Sequence, residues 1–334
     1  MKHLILIFCS FLLAVACKQE HKNTELQLNF TKGEAFGTGY TVQFMANENI
    51  DLSKSYDSIV EVINRSMSTY IDSSDISKIN QGDTTVVVDR HFKNVFEASK
   101  RIHKQTEGAF DPTIGVLVNA WDFGPEGKVI SLDSAKIKTL LKSVGLDKVM
   151  LAEGKIYKED PKTFIDFNAL AKGYAVDVVA NFLEHKGYTN YLVEIGGEIR
   201  VKGKNQVKNS PWKIGVEDPN FDGSQSYSKV ISLSDNAMAT SGSYRKYKTD
   251  EEGNKYAHII NTKTGYPHKS NLLSVSVITN TCMEADAYAT ALMTMGLQDT
   301  KDFLLKHPEL KVYIIYEDEN KELKTASFNG FPEN

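Results

Sequence analysis

Asp286 and Thr290 stand four positions apart in the segment Ala285-Asp286-Ala287-Tyr288-Ala289-Thr290. The stretch 284–295 reads as a helix stopped by Gly296, so both side chains share a face. A carboxylate and a hydroxyl are hard oxygen donors. They suit Mg²⁺, which takes few protein ligands and completes its shell from phosphate and water. The pair also fits an acidic residue complementing a helix dipole beside an outward-facing threonine. On spacing alone that plainer reading is favoured.

A second concentration lies at Asp166-Phe167-Asn168-Ala169-Leu170-Ala171-Lys172-Gly173-Tyr174. A strand over 163–166 ends on a carboxylate, a short turn follows, and a helix begins. Helix N-termini present free N–H groups to anions, and Lys172 in the first turn adds a positive charge. A capped helix start with a solvated lysine explains the pattern equally well. Ala239-Thr240-Ser241-Gly242 reads as a small-residue turn that lets backbone approach a ligand, with Tyr244, Arg245 and Lys246 behind it; an ordinary turn is the simpler alternative. His258, in an expected strand, could be a general base or a structural histidine. No GxGxxG, Walker A or CxxC motif occurs, and Gly196-Gly197 reads as a turn between strands.

These segments need a scaffold of both kinds of element. Helical spacing covers 52–66, 89–107, 133–143, 170–186, 284–295 and 303–307. Strands are expected at 38–46, 148–151, 163–166, 191–195, 198–201, 212–216, 229–233, 273–278 and 311–316. The order predicts an α+β protein with antiparallel meanders rather than a doubly wound sheet.

The chain has 334 residues, 41% of them hydrophobic and 25% charged, with a formal net charge of −4. No basic stripe is present, which argues against nucleic acid as a partner. The three cysteines, Cys9, Cys17 and Cys282, exclude a disulfide framework. Lys2 and the apolar run 4–15 have the form of a secretory leader, too short for a bilayer span of ~20 residues. Its end, Leu13-Ala14-Val15-Ala16-Cys17, resembles a lipobox. The expectation is a signal peptide over 1–16, lipidation of Cys17, a tether over 17–30 and one folded domain over 31–334. The protein would be exported and held at the membrane by its lipid anchor, facing the periplasm.

Taken in order, the five small-residue and carboxylate-rich segments resemble the ApbE family of FAD:protein FMN transferases. They are Phe36-Gly37-Thr38-Gly39-Tyr40, Gly108-Ala109-Phe110-Asp111-Pro112-Thr113, 166–174, 239–242 and 285–290. Further matches are Met67-Ser68-Thr69-Tyr70 with 74–80, Trp121-Asp122-Phe123-Gly124, 193–199, and His258-Ile259-Ile260-Asn261 with Thr264-Gly265-Tyr266-Pro267. The resemblance runs from about Phe36 to about Gly296. It implies a two-lobed α+β fold with mixed or antiparallel sheets flanked by helices and FAD in the cleft. It also implies FAD as substrate, Mg²⁺ as cofactor, transfer of FMN to a Ser or Thr hydroxyl, and flavin-accepting redox proteins of the cell envelope as partners.

By position, Phe36, Tyr70, Ala109, Phe110 and Asp111 resemble flavin-pocket residues. Asp166, Lys172, Ser241 and His258 resemble other FAD-contacting residues, and Asp286, Thr290 and the Ala169 carbonyl resemble the metal ligands. Phe36 replaces the family's usual Met, and Phe167-Asn168 stand where glycines are common, which puts the backbone path there in question. Asp286 and His258 are the expected catalytic residues, with Asp166 or Glu194 as alternative bases. Two rival readings are an FAD pyrophosphatase, with water as nucleophile, and a non-catalytic flavin-binding lipoprotein.

Overall fold

The computed structural model describes residues 25–127, 129, 132–220, 226–243, 247–249, 255–268 and 271–333. The leader, Cys17 and 244–246 lie outside these residues.

Eight strands form one sheet in the order β1-β2-β5-β6-β9-β12-β13-β14. They are β1 (Gln27–Ala35), β2 (Thr38–Ala46), β5 (Tyr191–Ile195), β6 (Glu198–Lys202), β9 (Asn236–Gly242), β12 (Leu272–Thr279), β13 (Lys311–Glu317) and β14 (Leu323–Phe328). Every pairing among them is antiparallel. β1 and β2 meet at Phe36 and Gly37, whose φ values of 54° and 75° match the two-residue turn that follows strand twist. β1 begins at Gln27, so residues 27–30 belong to the sheet rather than to the expected tether. Three small hairpins complete the strands: β3 (Val149–Ala152) with β4 (Lys155–Lys158), β7 (Trp212–Glu217) with β8 (Tyr227–Leu233), and β10 (Tyr247–Thr249) with β11 (Lys255–Ala257).

The sheet buries both faces. One receives the β7–β8 hairpin, packing Trp212, Ile214, Val216 and Ile231 on Ile199, Val201, Met238 and Ile278. The other carries the main core and the helices. These are α1 (Ser53–Met67), α3 (Arg90–Gln105), α6 (Ala171–His185), α7 (Cys282–Met295), α8 (Leu297–Lys306) and the shorter α2 (Asp75–Asn80), while α4 (Gly115–Ala120) and α5 (Ser134–Leu140) meet in a separate small core of Leu117, Ile137 and Ile260. Each fully buried aliphatic or Phe side chain contributes ~1.5–3 kcal/mol. Residues Ala285, Ala287, Ala289 and Ala291 are wholly buried in α7. Their small side chains let that helix lie close to both α6 and the sheet.

Four expected elements take different forms. The 163–166 strand is absent: only Phe164 bridges a neighbour, Ile114. At Ile165 the Asn80 side chain does a strand's work, donating to Ile165 O (2.8 Å) and accepting from Ile165 N (2.8 Å). The 239–242 turn is instead the end of β9, paired with β12 from Ala237↔Thr279 to Gly242↔Ser274. Small residues there serve close packing under α7, not chain reversal. His258 lies in a bend just past β11 rather than in a strand. The last helix is also longer than its 303–307 core, starting at Leu297.

Candidate functional site

One end of the sheet gathers Phe36, Lys172, Ser241, Asp286 and Thr290. The 36–37 and 196–197 turns lie side by side, with Gly196 N donating to Gly39 O at 3.1 Å. A Cβ on Gly196 would sit 2.7 Å from Thr38 Cγ2, so only glycine lets the turns meet. Phe36 packs against the rim of the main core. Beyond this turn β6 opens with Glu198, and Ser241 is the next-to-last residue of β9.

The N-terminus of α6 comes down on this edge. Lys172 Nζ lies 2.8 Å from Glu198 Oε2, the glutamate being almost fully buried. One residue on, Gly173 N donates to Asp286 Oδ2 at 3.1 Å. A Cβ on Gly173 would stand 2.3 Å from Cys282 O and 2.9 Å from Asp286 Cβ, so glycine is what allows α6 and α7 to touch. One turn further along α7, the Thr290 and Ser241 hydroxyls are 3.1 Å apart. Lys172, Ser241, Asp286 and Thr290 are therefore brought together, with Ala169 half-buried just before α6.

Burial holds the Asp286 carboxyl well above its ordinary value, the nearby Glu198 charge adds to this, and Lys172 and the Gly173 N–H oppose it. Glu194, accepting from Gly197 N at 2.8 Å, is raised first by burial, with a smaller push from Glu198. The cluster thus sets carboxyl groups close together in a low-dielectric place, where their charged forms are disfavoured and a bound cation would favour them. Its donors are a carboxylate and two hydroxyls beside backbone carbonyls. Among the described residues no group of three or more His, Cys, Asp or Glu is placed to hold a metal, which argues against a zinc-type site. The residues present fit Mg²⁺.

A neighbouring group surrounds Asp166. Its Oδ1 accepts from Asn168 N (2.8 Å) and its Oδ2 from Asn168 Nδ2 (3.1 Å). Neither Phe167 nor Asn168 has a positive φ, so the glycines common in the family are replaced without backbone strain. Phe167 is instead a core residue, edge-on to Phe92 at 5.1 Å. Tyr70 is exposed, and its phenol is raised by partial desolvation and then by Asp166, which places the two in one electrostatic neighbourhood.

The 109–111 stretch is bound into the protein by packing and hydrogen bonds. Phe110 is buried in the main core and its carbonyl receives His103 Nδ1 (2.9 Å). Asp111 Oδ1 accepts from Thr113 N (2.8 Å) and Thr113 Oγ1 (2.6 Å), and Oδ2 from Leu146 N (3.3 Å). These side chains hold the loop together, and Ala109 is nearly buried too. His258 is half-buried and edge-on to Phe123, with ring centroids 6.3 Å apart.

Sequence reasoning assigned no role to Glu198, Asp177, Arg200 or Asn80. The detectable signal was a charge on an apolar face: Asp177 lies three residues after the buried Tyr174.

An antiparallel sheet with helices on one face, carrying a buried carboxylate–lysine–hydroxyl cluster where two helices touch, defines the class: an α+β protein with an oxygen-rich, charged cluster at one edge of its sheet. The ApbE family model matches residues 36–314. Over 341 residues the chain is 34% identical to a protein of Vibrio cholerae named FAD:protein FMN transferase, covering 99% of each. A Haemophilus influenzae protein of the same name is 36% identical, over 91% of this chain and 90% of its own. The solved structure of flavin transferase ApbE from Vibrio cholerae superposes with a TM-score of 0.80 at 33% identity, covering 91% of this chain and 97% of that one. The chain belongs to the ApbE family.

Proposed function

We propose that this protein is a Mg²⁺-dependent FAD:protein FMN transferase that joins FMN through a phosphodiester to a Ser or Thr of an acceptor protein and releases AMP. The observation that carries this reading is the meeting of Asp286, Thr290, Ser241 and Lys172 at the α6–α7 crossing. Family membership supplies the reaction class, and the oxygen donors supply the fit to the cation.

In the reaction the acceptor hydroxyl oxygen bonds to the FMN-side phosphorus, the bond from that phosphorus to the bridging oxygen breaks, and AMP carries the bridging oxygen away. Mg²⁺ bound to these oxygens would neutralise phosphate charge and stabilise the leaving group. Asp286 and Thr290 would hold it, with the Ala169 carbonyl. Lys172, kept at the site by Glu198, offers a charge to the pyrophosphate. Ser241 orients the Thr290 hydroxyl. His258 takes the proton of the attacking hydroxyl. Asp166 is less suited, since both its oxygens already accept hydrogen bonds.

The test is mass spectrometry of an acceptor protein after incubation with FAD and Mg²⁺. The wild type adds the mass of FMN, and Asp286→Ala does not. AMP release without acceptor labelling would replace transfer by hydrolysis, and full labelling by Asp286→Ala would remove the metal assignment.

For location, we propose export and lipidation at Cys17, supported by the apolar run 4–15 and the Leu13-Ala14-Val15-Ala16-Cys17 ending. An acylated cysteine would tether the enzyme beside redox proteins of the cell envelope. Cys17→Ala should move the protein from the membrane to the soluble fraction; retention in the membrane would refute the anchor.

A further inference from the structure

A charged seam runs between β6 and α6. Strand alternation puts Glu198, Arg200 and Lys202 on the helix-facing side of β6, while Ile199 and Val201 face the β7–β8 hairpin. α6 answers with Lys172, Asp177 and Glu184. Lys172 pairs with Glu198 at 2.8 Å. Arg200 Nη1 donates to Asp177 Oδ1 and its Nη2 to Glu184 Oε1, each at 3.0 Å. Lys202 Nζ and the Tyr191 hydroxyl donate to Glu184 at 2.6 Å each.

Asp177 does more than close this seam. Its Oδ1 accepts from Cys282 N (3.0 Å) and its Oδ2 from Met283 N (2.9 Å), the first two residues of α7. Those N–H groups have no partner within their own helix, and an anion there also complements the helix dipole. The side chain of Thr281, the residue preceding the helix, accepts from Glu284 N at 3.3 Å and leaves the 282 and 283 N–H groups to Asp177.

Two cross-helix links therefore bind α7 to α6, each one turn from the other on both helices. One is Asp177 to 282–283, the other Gly173 to Asp286. Together they fix how far α7 slides and how it is turned about its axis. With both set, Asp286 faces the start of α6 and Thr290 faces Ser241. Arg200 holds Asp177 in place from β6, two residues from Glu198.

We propose that Asp177 and Arg200 are positioning residues of the flavin-transfer site, acting through the N-terminus of α7 to place Asp286 and Thr290 for the cation. This rests on the reading of Asp286 and Thr290 as cation ligands. Positioning of this kind is worth ~10–100-fold in metal affinity where it has been measured in other sites.

The experiment titrates Mg²⁺ into the full-length protein without FAD, following the rise in melting temperature, and separately measures the Mg²⁺ concentration that half-saturates flavinylation. The variants are Asp177→Asn, Arg200→Met and the charge-conserving Arg200→Lys, with Asp286→Ala as reference. Asp177→Asn and Arg200→Met should raise half-saturation about tenfold or more in both assays. Most of the maximal rate should return at saturating Mg²⁺, and Arg200→Lys should fall between them and the wild type. A lowered melting temperature with half-saturation unchanged would show a purely structural role and overturn the proposal. If Asp177→Asn does not fold, the two Arg200 variants decide the matter. If Asp286→Ala responds to Mg²⁺ as the wild type does, the cation reading itself fails, an outcome distinct from loss of response there with normal response in the Asp177 and Arg200 variants.

Discussion

Replacing Gly173 by Ala adds one methyl group at the point where the site is assembled. The new Cβ would lie 2.3 Å from Cys282 O, 2.7 Å from Cys282 C and 2.9 Å from Asp286 Cβ. Two of these neighbours are backbone and cannot swing aside, so α6 and α7 must part by roughly 1 Å to approach an ordinary separation. Overpacking of this kind costs ~1–3 kcal/mol. Parting the helices also breaks the Gly173 N–H hydrogen bond to the Asp286 carboxylate, worth ~1.5–3 kcal/mol for a charged acceptor. Against this, alanine in place of glycine inside a helix contributes about 1 kcal/mol. The balance is a loss of about 2–5 kcal/mol, a fall in melting temperature on the order of 10 °C. A displacement of ~1 Å at reacting groups can cost ~10²-fold in rate. The assay pairs thermal melting with flavinylation rate across an FAD series. Gly187→Ala is the control, because Gly187 (φ +88°) has open space around its missing Cβ; it should cost only ~1–2 kcal/mol of backbone strain and leave the rate unchanged. Gly173→Ala with the wild-type rate and melting temperature would refute the close-approach reasoning.

Three other outcomes follow from the same geometry. Asn80→Ala removes both hydrogen bonds to Ile165 and should cost ~1–3 kcal/mol while raising KM for FAD through the adjacent Asp166; an unchanged KM would separate Asn80 from the site. His91, buried with its Nδ1 2.9 Å from the Tyr174 hydroxyl, has its pKa lowered by desolvation. The fold thus holds the neutral ring: its contribution is complete above the ordinary imidazole value of about 6.5 and is lost as pH falls below that value through the lower folded-state pKa. Melting temperature measured from pH 8 to 5 should therefore decline less steeply in His91→Gln, and an identical slope would count against it. Finally, His258→Ala should lower kcat by ~10²–10⁴-fold and abolish the acid limb of the pH–rate profile, whereas Glu194→Gln should keep that limb; the reverse result would make Glu194 the base.

Much of this molecule is written locally. The 191–195 strand, the 170–186 helix and the 284–295 helix follow from periodicity and terminal glycines, and their observed bounds differ by at most two residues. The order of the small-residue segments sufficed for the family. Where local pattern misled, a distant partner had taken over. Ile165 looks like strand because it is apolar and β-branched, yet its backbone pairs with the side chain of Asn80, 85 residues earlier. Residues 239–242 look like a turn because they are small, yet they are strand because β12 lies beside them and α7 above.

The site divides along the same line. Sequence by itself singled out Asp286, Thr290, Lys172 and Ser241 as candidates, because residue type and order are local properties, and the fold brings these four together. Only the tertiary structure decided that Phe110 packs in the core and Asp111 binds its own loop, that Glu198 holds Lys172, and that Asp177 sets α7 against α6. Those roles depend on which backbone N–H groups and charges meet across more than 100 residues of chain in the case of Asp177 and α7, a juxtaposition that burial and packing create and no spacing rule encodes.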